Sequence, residues 1–378
     1  MCYTFPEVRI LKVAGIICEY NPFHLGHKFH IEETRRITGA DYVVAIMSGN
    51  FVQRGDIAIY DKLSRAKTAC QNGADLVIEL PAIYSLAGAE IFASKAVEIL
   101  IGLNCIDYLS FGAETDDVAE LERVAEIILS EDEDYKGKLS QALGQGLSFA
   151  SAREIAVGSD LLKTPNNILA VEYIKAIKKL GASFCPVAVK RSVNHDSDEV
   201  SGKFTSASNI RAEIKMGHFD LVKKYVPQGF DFSQKAHFIE DLEKSIISSL
   251  LLKTPEELRL ISDVSEGLEN RILKCAKECS GFMELCDAVK SKRYAHSRIR
   301  RILLHSYLGI TAEMQKEAPS YIRILDFNSN GQELLNKIKQ ATDLPLVKNT
   351  SDVNRLKNPV IKNQWDRELL FDKIFNLF

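Results

Sequence analysis

The chain has 378 residues, 46% of them hydrophobic and 26% charged, an ordinary globular composition that supports a full core and, at roughly 100–200 residues per domain, two domains. Its 48 Lys and Arg against 51 Asp and Glu leave a formal net charge of -3, which excludes a uniformly basic nucleic-acid coat but not a local basic face. Neither a membrane-length apolar run nor a secretory leader is visible, so a cytoplasmic protein without a membrane span is expected.

Short apolar runs at Val13–Cys18, 42–47, 75–80 and 105–111 read as buried strands. Helical patterns lie between them at 27–37, Lys62–Gln71 and 87–103. The strand starts recur about every 30 residues, the length of a strand–helix–strand unit. A further helix at 167–180 precedes a fifth apolar run at 184–189. The pattern predicts an α/β fold, a doubly wound, mostly parallel Rossmann-like sheet with its ligand outside the carboxyl ends of the strands. Beyond Arg211 the texture changes. Residues 236–312 carry long helical periods, and 321–327, 331–341 and 344–347 suggest one small strand–helix–strand element. With a linker at 226–229, the expected division is a catalytic domain over 1–225 and a second, mainly helical domain over 226–378.

Eight cysteines are scattered, without a Cys-x-x-Cys, and most sit in apolar runs, as expected of reduced, buried thiols. Cys275 and Cys279 would share a helix face with Cys286 close behind, but no fourth ligand of the right type stands near. Packing is therefore preferred to zinc.

The most informative segment follows the first strand. Asn21 and Pro22 make a turn, and His24 and His27 then stand three residues apart as a helix begins. Unpaired N–H groups at a helix start attract phosphate, and histidines at i and i+3 can donate to the same anion. Gly26 would let a nucleotide approach the backbone closely. Neither a Gly-x-Gly-x-x-Gly nor a P-loop is present.

His24-Leu25-Gly26-His27 resembles the HIGH signature of the nucleotidyltransferase superfamily that includes class I aminoacyl-tRNA synthetases. There the histidines steady the phosphates of ATP during attack on the α-phosphorus. Further blocks run from Glu19 to His24, Met47 to Gly55, Gly73 to Pro81, Phe111 to Glu114, Pro165 to Leu169 and Ser206 to Arg211. In that order they resemble the bacterial tRNA(Met) cytidine acetate ligase family, and Lys290 to Tyr294 carries the likeness into the second half. Leu25 departs from the Asn more frequent there.

The resemblance implies activation of acetate by ATP as acetyl-adenylate, then acetyl transfer to N4 of the wobble cytidine of elongator tRNA(Met). It implies ATP contacts at Ile17, Cys18, Glu19, Tyr20, Asn21, Pro22, Phe23, His24, Leu25, Gly26, His27, Lys28, Phe29 and His30, and at Gly112, Asn166 and Arg191. The residue types suit this. Gly112 ends a strand where a side chain would meet a ligand, Asn166 opens a helix with donor and acceptor to offer, and Arg191 can fork onto phosphate. Mg²⁺ is expected through ATP rather than through dedicated protein ligands, and the acidic cluster Asp196, Asp198 and Glu199 reads most simply as a solvated loop.

With His24 and His27, Arg54 completes the expected catalytic set, as a cation suited to a small carboxylate on a polar, glycine-rich loop. Ser206 and Arg211, a hydroxyl cap with a cation one turn on, form a weaker phosphate site. Lys290, Lys292, Arg293, Arg298, Arg300 and Arg301 place six cations within twelve residues. On a continuous helix, Lys290, Arg293, Arg300 and Arg301 would share a face for tRNA phosphates, with Ile299, Ile302 and Leu303 turned inward. Two other readings stay open, a small-molecule adenylyltransferase and a non-catalytic, nucleotide-dependent RNA binder.

Overall fold

A computed structural model describes residues 11–191, 204–265, 267–291 and 294–378. Five strands, β1 (Val13–Cys18), β2 (Tyr42–Ser48), β5 (Leu76–Leu80), β6 (Tyr108–Ala113) and β7 (Cys185–Lys190), match the predicted runs. β3 (Phe51–Val52) and β4 (Asp56–Ile57) form a separate antiparallel hairpin. Near the end come β8 (Ile322–Phe327) and β9 (Leu346–Val347).

The large sheet runs β7-β6-β1-β2-β5-β8-β9, parallel from β7 to β5. β1 connects outward to β2 on one side while β6 lies on the other, so the strand order reverses between β1 and β6. Ligands of open α/β sheets bind at such a reversal, beyond the carboxyl ends of the two strands. The alternation of side chains explains the burial of both faces. Val44 and Ile46 of β2 join one core, Val43, Ala45 and Met47 the other, and all five are fully buried. Cys185 is exposed, against the expectation of buried thiols, because β7 is the sheet's edge.

The strand–helix–strand element expected near the end forms as β8, the Ser329–Ala341 helix and β9, and it belongs to the large sheet. β8 pairs antiparallel with β5, and β9 pairs with β8. The expected boundary at 225/226 is thus crossed by the sheet itself. Nor is 226–229 an open linker, since Val226 is buried with Ile59, Tyr60, Ile210 and Ile214.

A buried charge cluster fastens this return. Lys62 lies at the start of the Lys62–Gln71 helix, where the dipole disfavours a cation. Its Nζ instead meets Glu79 of β5 at 2.6 Å and Asp372 of the Pro359–Phe375 helix at 2.5 Å. Arg323 of β8 meets the same two carboxylates at 3.0 and 3.4 Å. Glu368 stands beside them, its carboxyl pushed up to about 8 by burial and by Glu79. Removing one partner of such a cluster strands the others in a dry interior, at a cost of about 3–5 kcal/mol. Lys62→Met should therefore lower stability by that order in chemical denaturation. Lys138→Met, which removes an exposed pair with Asp134, should leave the curve in place.

Candidate functional site

The cleft at the sheet's reversal has a volume of about 290 Å³ and is lined from β1, β6 and the segments that follow them. After β1 the backbone passes a cis Asn21–Pro22 peptide. His24 then caps the Leu25–Thr38 helix: its Nδ1 accepts the Gly26 N–H at 3.0 Å, and its own N–H donates to Nδ1 of His27 at 3.3 Å. The two rings stack with centroids 3.7 Å apart. A nitrogen that accepts a hydrogen bond carries no proton, so in the neutral rings both protons are on Nε2. The histidines are thus a reciprocal cap as well as two candidate donors. Gly26 also has a packing reason: a Cβ there would lie 2.8 Å from the His24 ring, so the glycine makes room for the histidine. The departure at Leu25 is harmless to the loop's anchoring, because it is the backbone N–H of Leu25 that donates to Tyr225 O at 2.8 Å.

On the β6 side, Glu114 organises the wall. It accepts from Asn166 Nδ2 at 2.6 Å, Asn167 N at 2.9 Å and Thr164 Oγ1 at 3.0 Å. A carboxylate here completes the start of the Pro165–Leu180 helix. Nothing in the sequence marks Glu114 beyond its place in the Phe111–Glu114 block. The amide of Asn166 is already engaged by it, and the amide oxygen stands 3.5 Å from Arg191 Nη1. Burial lowers the Arg191 guanidinium, with Glu114 opposing and Arg54 adding to the shift. His30 meets Ser110 Oγ at 3.0 Å, and burial with Arg191 nearby lowers it to about 4, so at neutral pH it is an uncharged ring.

Arg54 sits at the tip of the β3–β4 hairpin, which the sequence presented only as a polar loop. The hairpin is held at its front by Glu19, which accepts the Gln53 N–H at 2.9 Å. Behind it, buried Arg65 donates to the carbonyls of Tyr60 (2.9 Å) and Ser48 (3.2 Å), and to those of Glu19 and Gly49. Asn21 adds a further tie by accepting the Ile59 N–H at 2.8 Å. Ser206 caps the Ala207–Lys215 helix as expected. One turn on, Arg211 reaches the cleft and donates to Asn21 O at 2.8 Å. Burial lowers its pKa, and both Arg54 and Arg300 lie close enough to add to that shift.

The cationic stripe expected in the second half does not form as drawn. The Phe282–Val289 helix ends before Lys290, and the His296–Leu308 helix begins anew. Lys290 is exposed. Lys292 and Arg293 lie outside the described residues, as do Asp196, Asp198 and Glu199. Arg298 donates to Asp263 O at 2.6 Å. Arg300 and Arg301 turn inward onto the hairpin: Arg300 pairs with Asp56 at 2.7 Å, and Arg301 approaches Gln53 O at 3.4 Å. The reason is packing. Ile299, Ile302 and Leu303 are fully buried, and that orientation carries the adjacent arginines to the core side.

Among the described residues no group of three His, Cys, Asp or Glu is placed to hold a metal ion. The cleft carboxylates Glu19 and Asp56 already accept from Gln53 and Arg300. No described helix is long and apolar enough to cross a membrane.

Residues 11–378 match the family model described as HIGH Nucleotidyl Transferase. The chain is 38% identical to the tRNA(Met) cytidine acetate ligase of Acetivibrio thermocellus, over 97% of this chain and 94% of that one. It is 41% identical to that of Caldanaerobacter subterraneus subsp. tengcongensis, over 97% and 95%. It is also similar to the crystal structure of Thermotoga maritima TmcAL in its apo form, with a TM-score of 0.91 and 31% identity over 97% of this chain and 94% of that one. The same protein bound with alpha-thio ATP gives a TM-score of 0.88 at 32% identity, with the same coverage.

Gly112, which lines the cleft, and Gly55, in the hairpin beside it, should respond differently to alanine. At Gly112 a Cβ would meet Arg191 Cγ at an ordinary 3.5 Å. Gly112→Ala should keep its melting temperature yet bind ATP more weakly in calorimetric titration, and unchanged binding would remove Gly112 from the site. At Gly55, with φ +73°, a Cβ would lie 2.6 Å from the Arg301 backbone nitrogen. Gly55→Ala should melt lower.

Proposed function

The chain belongs to the HIGH nucleotidyl transferase family and, within it, to the tRNA(Met) cytidine acetate ligases, and from that premise we propose how this cleft carries out the reaction. ATP activates acetate: one carboxylate oxygen attacks the α-phosphorus, the bond to the bridging oxygen breaks, and pyrophosphate leaves. N4 of the wobble cytidine of elongator tRNA(Met) then attacks the acetyl carbon. AMP leaves with the former acetate oxygen, and the amine gives up a proton. ATP, acetate and a tRNA are substrates that suit a cytoplasmic enzyme.

The observation that carries this reading is the stacked histidine pair at the helix start. Both Nδ1 atoms accept backbone N–H groups, so the ring protons sit on Nε2, donors of the kind that phosphate oxygens accept. Donors fixed before the reaction need no reorganisation as charge grows on the phosphates. Arg191 and Arg211 would hold further phosphate oxygens, and Arg54, at the hairpin tip, would grip the acetate carboxylate. The other loop residues from Ile17 to His30, with Gly112 and Asn166, would shape the nucleotide site, and Ser206 would support Arg211. Mg²⁺ would arrive bound to the triphosphate, since the cleft's carboxylates have protein partners, and no step is routed through it.

The tRNA surface would include exposed Lys290 and, by sequence alone, Lys292 and Arg293. These contacts would be to phosphates, which position RNA and make its binding salt-dependent.

Acetate-dependent release of pyrophosphate without tRNA, followed by acetylation of added tRNA, separates this reading from a small-molecule adenylyltransferase and from a non-catalytic RNA binder. His27→Ala should slow acetyl-adenylate formation by about 10²–10³, the usual loss for one preorganised donor. An unchanged rate would remove the pair from catalysis. Reversing Lys290, Lys292 and Arg293 to Glu should abolish tRNA acetylation and leave acetate-dependent pyrophosphate release intact. Retained acetylation with the same salt dependence would place the tRNA elsewhere.

A further inference from the structure

We infer that Arg300, contributed by the second half of the chain, is a positioning residue for the acetate site: it acts through Asp56 and Gly55 to set the hairpin that presents Arg54. This rests on the reading above, in which Arg54 grips acetate.

The hairpin is short, and its tip is held from two sides. On one, Glu19 accepts the Gln53 N–H. On the other stands the His296–Leu308 helix. Arg300 Nε donates to Gly55 O at 2.9 Å and Nη2 meets Asp56 Oδ2 at 2.7 Å, so one guanidinium binds the two residues that follow Arg54. The helix backbone touches the turn as well, because only a glycine at 55, with φ +73°, leaves room for Arg300 Cβ and Arg301 N. The site is partly closed to water, with side-chain exposures of 19% for Arg300 and 22% for Asp56. A pair so placed is screened less than a surface pair.

Arg300 has no need of a substrate anion to satisfy its charge, since Asp56 supplies one. Arg54, two residues before Asp56, shares the cleft with it and with Arg211 and Arg191. Several guanidinia in one cleft repel each other. Asp56 and its partner Arg300 therefore fix where the hairpin's negative charge lies, and with it the position of the turn that carries Arg54. Displacement of such a group by about 1 Å costs on the order of 10²-fold in a reaction that depends on alignment.

The test is acetate-dependent pyrophosphate release by the full-length chain without tRNA, with acetate and ATP varied separately. Arg300→Met keeps the stem and loses both bonds; Arg300→Lys keeps a cation for Asp56; Asp56→Asn removes the other partner. Arg300→Met should raise KM for acetate about tenfold or more while KM for ATP stays within about twofold, and Arg300→Lys should regain most of the loss. Asp56→Asn, which leaves the bond to Gly55 O in place, should raise KM for acetate in the same direction but by no more than Arg300→Met, and the double variant should be no worse than Arg300→Met alone. Additive losses, or equal rises for acetate and ATP, would overturn the inference. If Arg300→Met does not fold, Asp56→Asn decides alone, and an unchanged acetate requirement in it is the overturning result. Arg54→Ala in the same assay isolates the underlying reading. Should Arg54→Ala leave the acetate KM unmoved, that assignment of Arg54 fails; should it raise it while Arg300→Met and Asp56→Asn do not, only the positioning role fails.

Discussion

The architecture of this cleft depends on one buried guanidinium. Arg65 is only 2% exposed and donates to the main-chain carbonyls of Glu19, Ser48, Gly49 and Tyr60. These belong to the ends of β1 and β2 and to the segment after β4. Strand ends are where backbone carbonyls lose their ladder partners, and an unpaired buried carbonyl is expensive. A fork of N–H donors answers several at once, whereas a lysine could not reach them in one plane. Burial pulls Arg65 down to about 10, still well above neutrality, so it stays charged. By joining three segments it gives the histidine loop and the Arg54 hairpin a common base.

Around that base the site is assembled from distant parts of the chain. The segment after β1 supplies the histidine loop, β6 supplies Gly112, Glu114 just beyond β6 holds Asn166 in the wall, the Ala207–Lys215 helix supplies Arg211, and the His296–Leu308 helix supplies Arg300. The chain then returns to the sheet as β8, fastened by Lys62, Glu79, Arg323 and Asp372. Nucleotide loop and second half are therefore parts of one packed body. The proposed chemistry, which rests on placed charge rather than on a covalent enzyme group, needs such rigidity.

The parallel sheet and the histidine loop were legible because their signals are local. Apolar runs at a regular interval mark β1, β2, β5 and β6, and the Asn-Pro turn followed by His-x-Gly-His marks a strand-to-helix junction. The roles of single residues inside those blocks were less legible. Gly26 also makes room for the His24 ring, and Asn166 is also held by Glu114. Each of these depends on a partner's orientation, which spacing does not encode.

By itself the sequence determined the class of fold, the position of the histidine turn after the first strand and the family, since period and motif are properties of contiguous residues. The tertiary structure alone decided where the cations point. Lys290 to Arg301 reads as one basic stripe, but the helix breaks after Val289, and the burial of Ile299, Ile302 and Leu303 swings Arg300 and Arg301 onto the hairpin. It also decided that β8 joins β5, because antiparallel addition to an edge strand leaves no periodic trace distinguishing it from an independent element. Which arginine meets which carboxylate is a matter of packing between segments more than two hundred residues apart, as with Asp56 and Arg300, and only the folded chain brings them together.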